Sequence, residues 1–382
     1  MKLAFIMLVS AVSQAAGSGA RLNLSLSALA QGGSAATVGL LNTVYAVLPA
    51  LLAVQVGRQI DRIGLRIPLV AGILLALAGM LVNFSWSAQM ALYFGAVFIG
   101  TGQMIVNLGT NNATGAIAPP AQRAAYYSWA SLASLAGSAA GTLAAGFSIE
   151  HGSHRIAFLV CAGIAALALA LVALRGALLP VTAGSAHPAA QRYDALELLR
   201  APGLSTLFVI SAMTSISWDI YQIIVPIYGH EIGLSAATIG IVMACFPVGN
   251  FAIRALVPVL SRHFREWTLI TATLAGVGSA FLLLPLAHAA PALMAIAFLL
   301  GCGFGFSYPA AMALIFSMSP QGRQGEAIGI RTTMQNVSHV AAPMTIGVLF
   351  TAIGVLPVVW MIAAAMYLTG WFAHRAGARH RS

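Results

Sequence analysis

Charged residues are unusually scarce in this sequence. Only 7% of its 382 residues are Asp, Glu, Lys or Arg, whereas a soluble domain is nearer a quarter charged. The chain therefore cannot be an ordinary soluble protein. Lysine is the extreme case, because Lys2 is the only one. Without another lysine, no Gly-x-x-x-x-Gly-Lys-Ser/Thr nucleotide loop can exist within this chain.

Sequence motifs of catalysis and metal binding are also missing. The sequence has neither His-Glu-x-x-His nor Gly-x-Ser-x-Gly, which mark zinc hydrolases and serine nucleophiles. Its three cysteines, Cys161, Cys245 and Cys302, fall in apolar segments without metal-ligand spacing and are expected to be packing residues. We therefore expect no enzyme activity, no cofactor, no bound metal and no disulfide.

Long apolar runs take the place of charge. The sequence is 60% hydrophobic, and its mean hydropathy is +0.91. Because lipid offers no water to satisfy backbone groups, spans should be helices, and each needs about 20 apolar residues. The sequence thus predicts an all-α polytopic membrane protein with twelve transmembrane helices in two six-helix bundles, at about 4–30, 36–56, 67–86, 90–113, 126–148, 156–174, 204–229, 237–260, 268–288, 292–316, 327–352 and 355–374.

The positions of the basic residues predict which way the spans run. Of 18 Lys and Arg residues, Arg21, Arg254 and Arg331 lie within predicted spans. Arg155 alone lies in one alternating set of loops, and the others lie in the opposite set or near the termini. Because positively charged loops stay cytoplasmic, both termini should be cytoplasmic, in what we expect to be a bacterial inner membrane. The same rule explains the net charge of +10 without a nucleic-acid partner.

The second half of the sequence repeats the first at an offset near 201 residues. Ser34–Gly39 matches Ser235–Gly240, and Gly100-Thr101-Gly102 matches Gly301-Cys302-Gly303. Six spans per repeat give both halves the same orientation, related by an axis along the membrane normal. The longest loop lies between the repeats, so we predict an N-terminal bundle over 1–175, a central cytoplasmic loop over 176–203 and a C-terminal bundle over 204–382.

The densest charge cluster runs from Gly57 to Arg66, between two apolar runs. Its glycines and charges predict a tight cytoplasmic loop, with one helix ending before it and the next beginning after it. The pattern Gly57-x-x-x-Asp61-Arg62-x-Gly64-x-Arg66 resembles the signature loop between helices 2 and 3 of the major facilitator superfamily. The resemblance covers essentially the whole chain, because the twelve spans and the half repeat also fit that family.

A second motif resembles the same family. In span five, Gly137-x-x-x-Gly141 and Gly146 are similar to the glycine-rich motif of its proton-coupled antiporters, although Thr142 stands where that motif has proline. The resemblance implies secondary transport by rocking of two six-helix halves around a cavity lined by spans one, four, seven and ten. It also implies that Asp61 and the neighbouring arginines lock the cytoplasmic ends together in one state of the cycle.

Two ionisable residues are predicted near the middle of the bilayer, where charge is expensive and marks a pathway or a pair. Arg21 lies about nine residues from the outer end of span one, and Asp219 about ten from that of span seven. The repeat places Arg21 opposite Gln222, one turn from Asp219, so the two charges are expected to approach each other. We interpret Arg21 as recognising an anionic group and Asp219 as carrying a proton. A structural ion pair, or an arginine that reaches outward to the interface, would explain the same residues.

Polar and aromatic residues extend this predicted site. Gln103, Asn107 and Asn111 recur every four residues and so share one helix face, which should meet either a watery cavity or another helix. His339 in span eleven is interpreted as a second proton carrier or a core histidine. Elsewhere in spans seven and ten we expect substrate contacts, or else packing residues, from Trp218, Tyr221, Gln222 and Tyr308.

Two further charges are expected to have no part in transport. Arg331 should reach the cytoplasmic interface or pair with Glu326, and Glu150 should be solvated in an outer loop. The sequence as a whole predicts a proton-coupled secondary transporter of a small organic solute. One cavity arginine favours uptake of organic anions, which is the direction we expect. The glycine-rich fifth span favours the alternative, export of drugs or amphipathic metabolites.

Explanations of another class stay open, namely a membrane receptor that transports nothing or a membrane-embedded enzyme. The expected partners are a small-molecule substrate, H+ and the lipid bilayer. The chain is expected to act as a monomer.

Overall fold

The structure is a computed structural model that describes residues 1–119, 123–179, 198–199, 201, 203–264, 266–319 and 324–379. These residues are helical almost throughout, because a helix satisfies its own backbone groups in lipid. Short 3-10 turns follow the sixth and ninth helices, at Gly176–Leu178 and Leu284–Leu286. The long helices of the described residues are α1 (Lys2–Ala30), α2 (Ala35–Ile63), α3 (Arg66–Ser85), α4 (Gln89–Ile117), α5 (Arg123–His151), α6 (His154–Arg175), α7 (Leu204–Glu231), α8 (Ala236–His263), α9 (Glu266–Leu283), α10 (Ala290–Met318), α11 (Gln324–Ile353) and α12 (Val355–Arg379).

Eleven of these helices contain a stretch long and apolar enough to cross a membrane, counted over the described residues. α11 lies outside that set and carries Arg331, Gln335 and His339 along its length. The predicted fold class, an all-α polytopic membrane protein, is confirmed, and the twelve predicted spans are consistent with these helices. Many helices extend a few residues beyond the predicted spans, because long polar side chains at a helix end can reach the membrane surface.

The loop predicted over Gly57–Arg66 is much shorter than expected. α2 continues through Ile63, Gly64 has a φ of 81°, and α3 begins at Arg66. The prediction that a helix ends before Gly57 is therefore wrong. Glycine inside a helix costs only about 1 kcal/mol, and residues 58–63 contain no proline. The helix consequently runs on until Gly64 takes a positive φ, which glycine adopts readily.

The helices form two compact units, each with its own internal packing. The first comprises Met1–Pro188 with Val225–Ala244, and the second Ala189–Ile224 with Cys245–Ser382. In the first, α1 packs against α4, α5 and α6, while α3 packs against α4 and α6, and α2 packs against α4. In the second, α9 packs against α10 and α12, and α11 contacts both of those helices. The predicted division into 1–175, 176–203 and 204–382 stays a prediction.

One glycine contact is repeated in both units. A Cβ on Gly100 of α4 would collide with the carbonyl oxygen of Tyr45 on α2, and a Cβ on Gly301 of α10 would collide with that of Phe246 on α8. The glycines and their partners are each separated by the same 201 residues as the sequence repeat. The repeat therefore has a structural counterpart, in which small residues let two helices approach at backbone distance.

The glycine-rich face of α5 is the surface on which α1 packs. A Cβ on Gly137 would collide with the carbonyl oxygen of Ala11, and a Cβ on Gly141 with that of Ala15. A Cβ on Gly19 of α1 would in turn lie 2.6 Å from the carbonyl oxygen of Gly141. This close approach fixes α1 against α5 and so fixes the polar side chains that α1 carries.

We predict that Gly141→Ala destabilises the protein and that Gly163→Ala does not. A methyl group at position 141 would overlap the Ala15 carbonyl, and overpacking typically costs about 1–3 kcal/mol. At Gly163, in α6, a Cβ meets nothing within 4 Å. Thermal unfolding in detergent, followed by tryptophan fluorescence, should show a lower Tm for Gly141→Ala alone. Equal Tm values for the two variants would contradict the tight α1–α5 contact.

Candidate functional site

α1 presents one open stripe on a helix that is otherwise mostly buried. Met7, Ala11, Gln14, Ser18 and Arg21 are each partly exposed. Their spacing alternates between four and three residues, which places them along one helix face. Most other side chains in the second half of α1 are buried. The stripe ends in two polar residues and one charged residue, so α1 offers a polar face toward its predicted outer end.

A chain of hydrogen bonds starts from this stripe and joins three helices. Gln103 of α4 donates from Nε2 to Gln14 Oε1 at 2.7 Å. Gln14 Nε2 donates to Ser18 Oγ at 3.4 Å, and Ser18 Oγ donates to Ser138 Oγ of α5 at 2.9 Å. Gln103 is 8% exposed and thus belongs to the wall of the site. The chain satisfies polar groups that lipid could not satisfy.

Arg21, the charged member of the stripe, is oriented by two residues of α2. Its Nε donates to Asn42 Oδ1 at 2.9 Å, and its guanidinium carbon lies 5.1 Å from the centroid of the Tyr45 ring. Asn42 is held in turn, because its Nδ2 donates to the carbonyl oxygen of Val38. A guanidinium over an aromatic face is stabilised by a cation–π interaction. Arg21 is therefore a positioned cation that keeps part of its surface exposed.

The amides predicted to share one face of α4 have different surroundings. Asn107 and Asn111 are exposed, whereas Gln103 is buried in the hydrogen-bond chain. Thr110 and Thr114 lie beside them and are buried, and each donates to a carbonyl of its own helix. Of the three amides predicted to share this face, Asn107 and Asn111 are thus the exposed ones.

Asp219 and His339 form a direct pair in the second unit. His339 Nδ1 lies 2.5 Å from Asp219 Oδ2. The aspartate side chain is 4% exposed and the histidine side chain 38% exposed. Charge inside a membrane is expensive without a partner, and imidazole is the side chain that exchanges a proton near neutral pH. The pair thus joins a buried carboxylate to an imidazole that is partly exposed.

The pair belongs to a series of side-chain contacts between α7 and α11. Arg331 Nε donates to Ser211 Oγ at 3.0 Å, and Gln335 Nε2 donates to Ser215 Oγ at 2.9 Å. These two hydrogen bonds and the Asp219–His339 contact follow one another at intervals of four residues on both helices. Arg331 is 3% exposed, so it does not reach the interface as expected, because Ser211 gives it a partner inside the unit. The Glu326 side chain lies outside the described residues.

An aromatic cluster contains Trp218, the residue before Asp219. The Trp218 ring centroid is 4.6 Å from that of Phe246 and 6.3 Å from those of Tyr221 and Phe304. Tyr221 is 1% exposed and Phe246 is fully buried, whereas Trp218 is partly exposed. Of these four rings, Trp218 offers the open surface and the others support it.

Gln222 of α7 and Tyr308 of α10 are the remaining predicted substrate contacts. Gln222 is partly exposed, one turn beyond Trp218. The backbone of Tyr308 belongs to α10, but its side chain lies outside the described residues. Its role as a substrate contact stays a prediction.

The predicted gating residues lie at the end of α2 and the start of α3. Gly57 is inside α2, and a Cβ there would meet only Leu108, at 3.8 Å. Arg66 Nη2 donates to the carbonyl oxygen of Ala173 at 3.1 Å, near the C-terminus of α6, where a positive charge is favourable. The backbones of Asp61 and Arg62 belong to α2, but their side chains lie outside the described residues. Their gating role stays a prediction.

The repeat contained a signal for the Asp219–His339 pairing that inspection of single motifs missed. Ser18 and Ser138 are hydrogen-bonded and 120 residues apart in the sequence. Adding the repeat offset of 201 to both positions gives Asp219 and His339, which are also 120 residues apart. The aspartate and the histidine therefore occupy equivalent places to a pair of serines.

Comparison with known proteins decides between the classes that the sequence left open. The family model described as Major Facilitator Superfamily matches residues 3–343 and 207–380. The chain belongs to the Major Facilitator Superfamily. The family resemblance of the Gly57–Arg66 motif is confirmed, and the protein is a membrane transporter and not an enzyme.

The chain is similar to two tetracycline resistance proteins and to solved transporter structures. The chain is 27% identical over 349 residues to the tetracycline resistance protein, class G, of Vibrio anguillarum, covering 86% of this chain and 85% of that protein. It is 25% identical over 363 residues to the class D protein of Salmonella ordonez, covering 86% and 84%. A solved structure of a mutant nucleoside transporter NupG has a TM-score of 0.78 at 13% identity, covering 98% of this chain and 100% of that one.

A solved POT family transporter in complex with a thioalcohol-conjugated peptide is similar to the same degree. Its TM-score is 0.81 at 14% identity, and the match covers 99% of this chain and 96% of that one. At such low identity the two structural matches show the fold alone. What they add is that the fold spans the whole chain.

We predict that Gln14 and Gln103 stabilise the protein as a pair. Gln14→Leu would leave the buried Gln103 amide without its acceptor, and an unsatisfied buried group costs about 1–3 kcal/mol. Gln103→Leu would leave Gln14 Oε1 without its donor, at a smaller cost of about 0.5–1.5 kcal/mol, because Gln14 is partly exposed. The double variant removes both partners, so its loss should be smaller than the sum of the two single losses.

The measurement is the free energy of unfolding in mixed detergent micelles for a double-mutant cycle. Asn111→Leu is the matched control, because Asn111 is exposed and should add independently to Gln14→Leu. Strict additivity for Gln14 and Gln103 would contradict the hydrogen-bond chain.

Proposed function

We propose that this protein is a proton-coupled secondary transporter in which the Asp219–His339 pair carries the coupling proton. The observation that supports this is a carboxylate that is 4% exposed in contact with an imidazole that is 38% exposed. Paired ionisable groups inside a membrane typically mark ion pathways. Membership of the superfamily supports transport, and the pair supports the choice of proton.

The two protonation states of this pair differ in what they cost. With the proton bound, the pair is neutral overall, either as carboxylate with imidazolium or as carboxylic acid with imidazole. When the proton leaves, one negative charge remains on a buried group, which is unfavourable in a medium of low dielectric constant. The deprotonated state therefore favours a conformation in which water reaches Asp219. Proton binding thus biases the conformational equilibrium, as coupling requires.

The α1 stripe and the exposed α4 amides are assigned to substrate recognition. Arg21 supplies a positioned positive charge, and Asn107 and Asn111 supply hydrogen-bond donors and acceptors. In the second unit, Trp218 offers an aromatic surface beside the proton pair. These groups suit a small organic molecule that carries an anionic or acceptor group and an apolar ring.

Export of an amphipathic compound in exchange for protons is the direction we favour. The support is the similarity, over 86% of this chain, to two proteins named for tetracycline resistance, since export of the drug is the way in which a transporter can confer resistance. Uptake of an organic anion with protons, which the sequence alone favoured, is the second candidate and depends on Arg21. Both directions use the same proton pair.

The remaining parts of the proposal concern topology and gating. The two six-helix halves alternate access by rocking, both termini are cytoplasmic in a bacterial inner membrane, and the chain acts as a monomer. Gly57, Asp61, Arg62, Gly64 and Arg66 form the cytoplasmic gate. The support for this gate is the family motif and its position on the last turns of α2, where a carboxylate can meet the positive N-terminus of another helix.

Asp219→Asn should abolish transport driven by a pH gradient while solute exchange persists. An amide cannot release a proton, so the coupling step is lost, whereas the solute can still be carried in both directions. The assay uses proteoliposomes and a solute selected by a thermal-shift screen that includes tetracycline and small organic anions. Glu231→Gln, at an exposed acid that ends α7, should transport normally. Uphill transport by Asp219→Asn at the parent rate would remove the pair from coupling.

Arg21→Ala should weaken the binding of an anionic solute far more than that of a neutral analogue of the same shape. The guanidinium is a fixed positive charge, so only the anion loses a charge-assisted contact. Isothermal titration with the two analogues gives both dissociation constants. Arg155→Ala, at an exposed arginine in the first turn of α6, is the control. An equal loss for both analogues would show that Arg21 supports the fold and does not recognise charge.

A further inference from the structure

The end of α5 meets the beginning of α8 within the first compact unit. Glu150, in the last turn of α5, accepts a hydrogen bond through Oε2 from the backbone N–H of Ala237 at 2.9 Å. The side chain of Ser235, the residue before α8, also hydrogen-bonds the carboxylate. The first N–H groups of a helix lack partners inside it, and a negative charge is favourable there. Glu150 therefore supplies α8 with a cap from another helix.

Two glycines allow this contact. A Cβ on Gly146 of α5 would lie 2.6 Å from the carbonyl oxygen of Ala236 and 3.2 Å from the Cα of Gly240. A Cβ on Gly240 would lie 2.6 Å from the carbonyl oxygen of Thr142. The two helices thus approach at backbone distance for one turn below the carboxylate. Larger residues at either glycine would push the helix ends apart.

The contact joins parts of the chain that the repeat assigns to different halves. α5 belongs to the first six-helix repeat and α8 to the second, and the contact lies at the side predicted to be extracellular. We propose that Glu150 is a second gating residue, which holds the extracellular ends of α5 and α8 together in one state of the transport cycle. This role rests on the proposed alternating access, because such a contact must break when that side opens.

The Glu150 carboxylate has no acidic counterpart at the equivalent position of the second half of the sequence. The offset of 201 residues relates Gly240 to Gly39 and Gly146 to Gly347, so the glycines occur in both halves. The same offset relates Glu150 to Thr351. The two glycines are therefore repeated in the sequence, whereas the acid is present once. Such an acid is not needed for the packing geometry itself and is suited to setting the stability of one closed state.

A cysteine at position 142 tests whether the contact opens. Thr142 is 4% exposed and lies against Gly240, so a cysteine there is shielded while the contact is closed. The full-length protein is kept in cells, and the rate of labelling by a membrane-impermeant maleimide added outside is measured. The background for Thr142→Cys replaces the three native cysteines, as Cys161→Ala, Cys245→Ala and Cys302→Ala.

Glu150→Ala should raise the external labelling rate about two- to fivefold, the size expected for losing an exposed charge at a helix N-terminus. Glu150→Gln should have a smaller effect, because it keeps an acceptor oxygen and loses the charge. Gly240→Ala should raise the rate by steric separation of the helices. Glu231→Ala and Gly163→Ala, at an exposed acid and at an open glycine, should leave the rate unchanged.

An unchanged labelling rate in Glu150→Ala, in protein that elutes normally in gel filtration, would overturn the gating role of Glu150. Faster labelling only by reagent supplied to the opposite face of the membrane would overturn it as well. The readout involves neither substrate nor proton. Failure of the gating role is therefore distinguishable from failure of the proposed proton coupling. The latter would appear as uphill transport by Asp219→Asn, with labelling at position 142 unaffected.

Discussion

Lipid cannot form hydrogen bonds, and this constraint governs what the polar side chains of this protein do. Most polar groups of the described residues find a partner on their own helix or a neighbouring one, or keep an exposed surface. Gln103 and Ser138 end a chain that satisfies itself across three helices. Asn107, Asn111 and His339 keep exposed surface instead, which is why they are candidates for contact with a solute or a proton. The division between wall and site follows from this sorting of polar groups.

The repeat builds the same frame twice and fills it with different chemistry. Each unit contains a side-chain contact between two residues that are 120 positions apart in the sequence. The two contacts lie at equivalent positions of the repeat. In the first unit this contact joins Ser18 to Ser138, and in the second it joins Asp219 to His339. Serine hydroxyls do not exchange a proton near neutral pH, so the serine contact binds helices without titrating. Two residue differences therefore place a carboxylate and an imidazole where the other half has two hydroxyl groups.

The sequence predicts the helices and the family because both depend on local patterns. Apolar runs fix the spans, and the Gly57–Arg66 motif identifies the superfamily. The end of α2 was missed because charges alone do not end a helix that is leaving the membrane. Partners such as Asn42 for Arg21 were missed because they depend on how helices pack. Glu150 was expected to be solvated in a loop, because its partners, a backbone N–H and the Ser235 side chain, form no recognisable pattern in the sequence.

The contacts of α5 show how one helix can take part in both permanent and temporary packing. Toward α1, its glycines meet two carbonyl oxygens, and Ser138 adds a hydrogen bond in the same interface. Toward α8, the close approach covers one turn and ends at Glu150, an exposed carboxylate that water also solvates. An exposed charge contributes little to stability because solvent screens it. That weakness suits a contact that must open in every cycle, since a bias between two conformations needs only a small difference in free energy. A buried and fully paired acid at the same place would hold α5 and α8 together too firmly for transport.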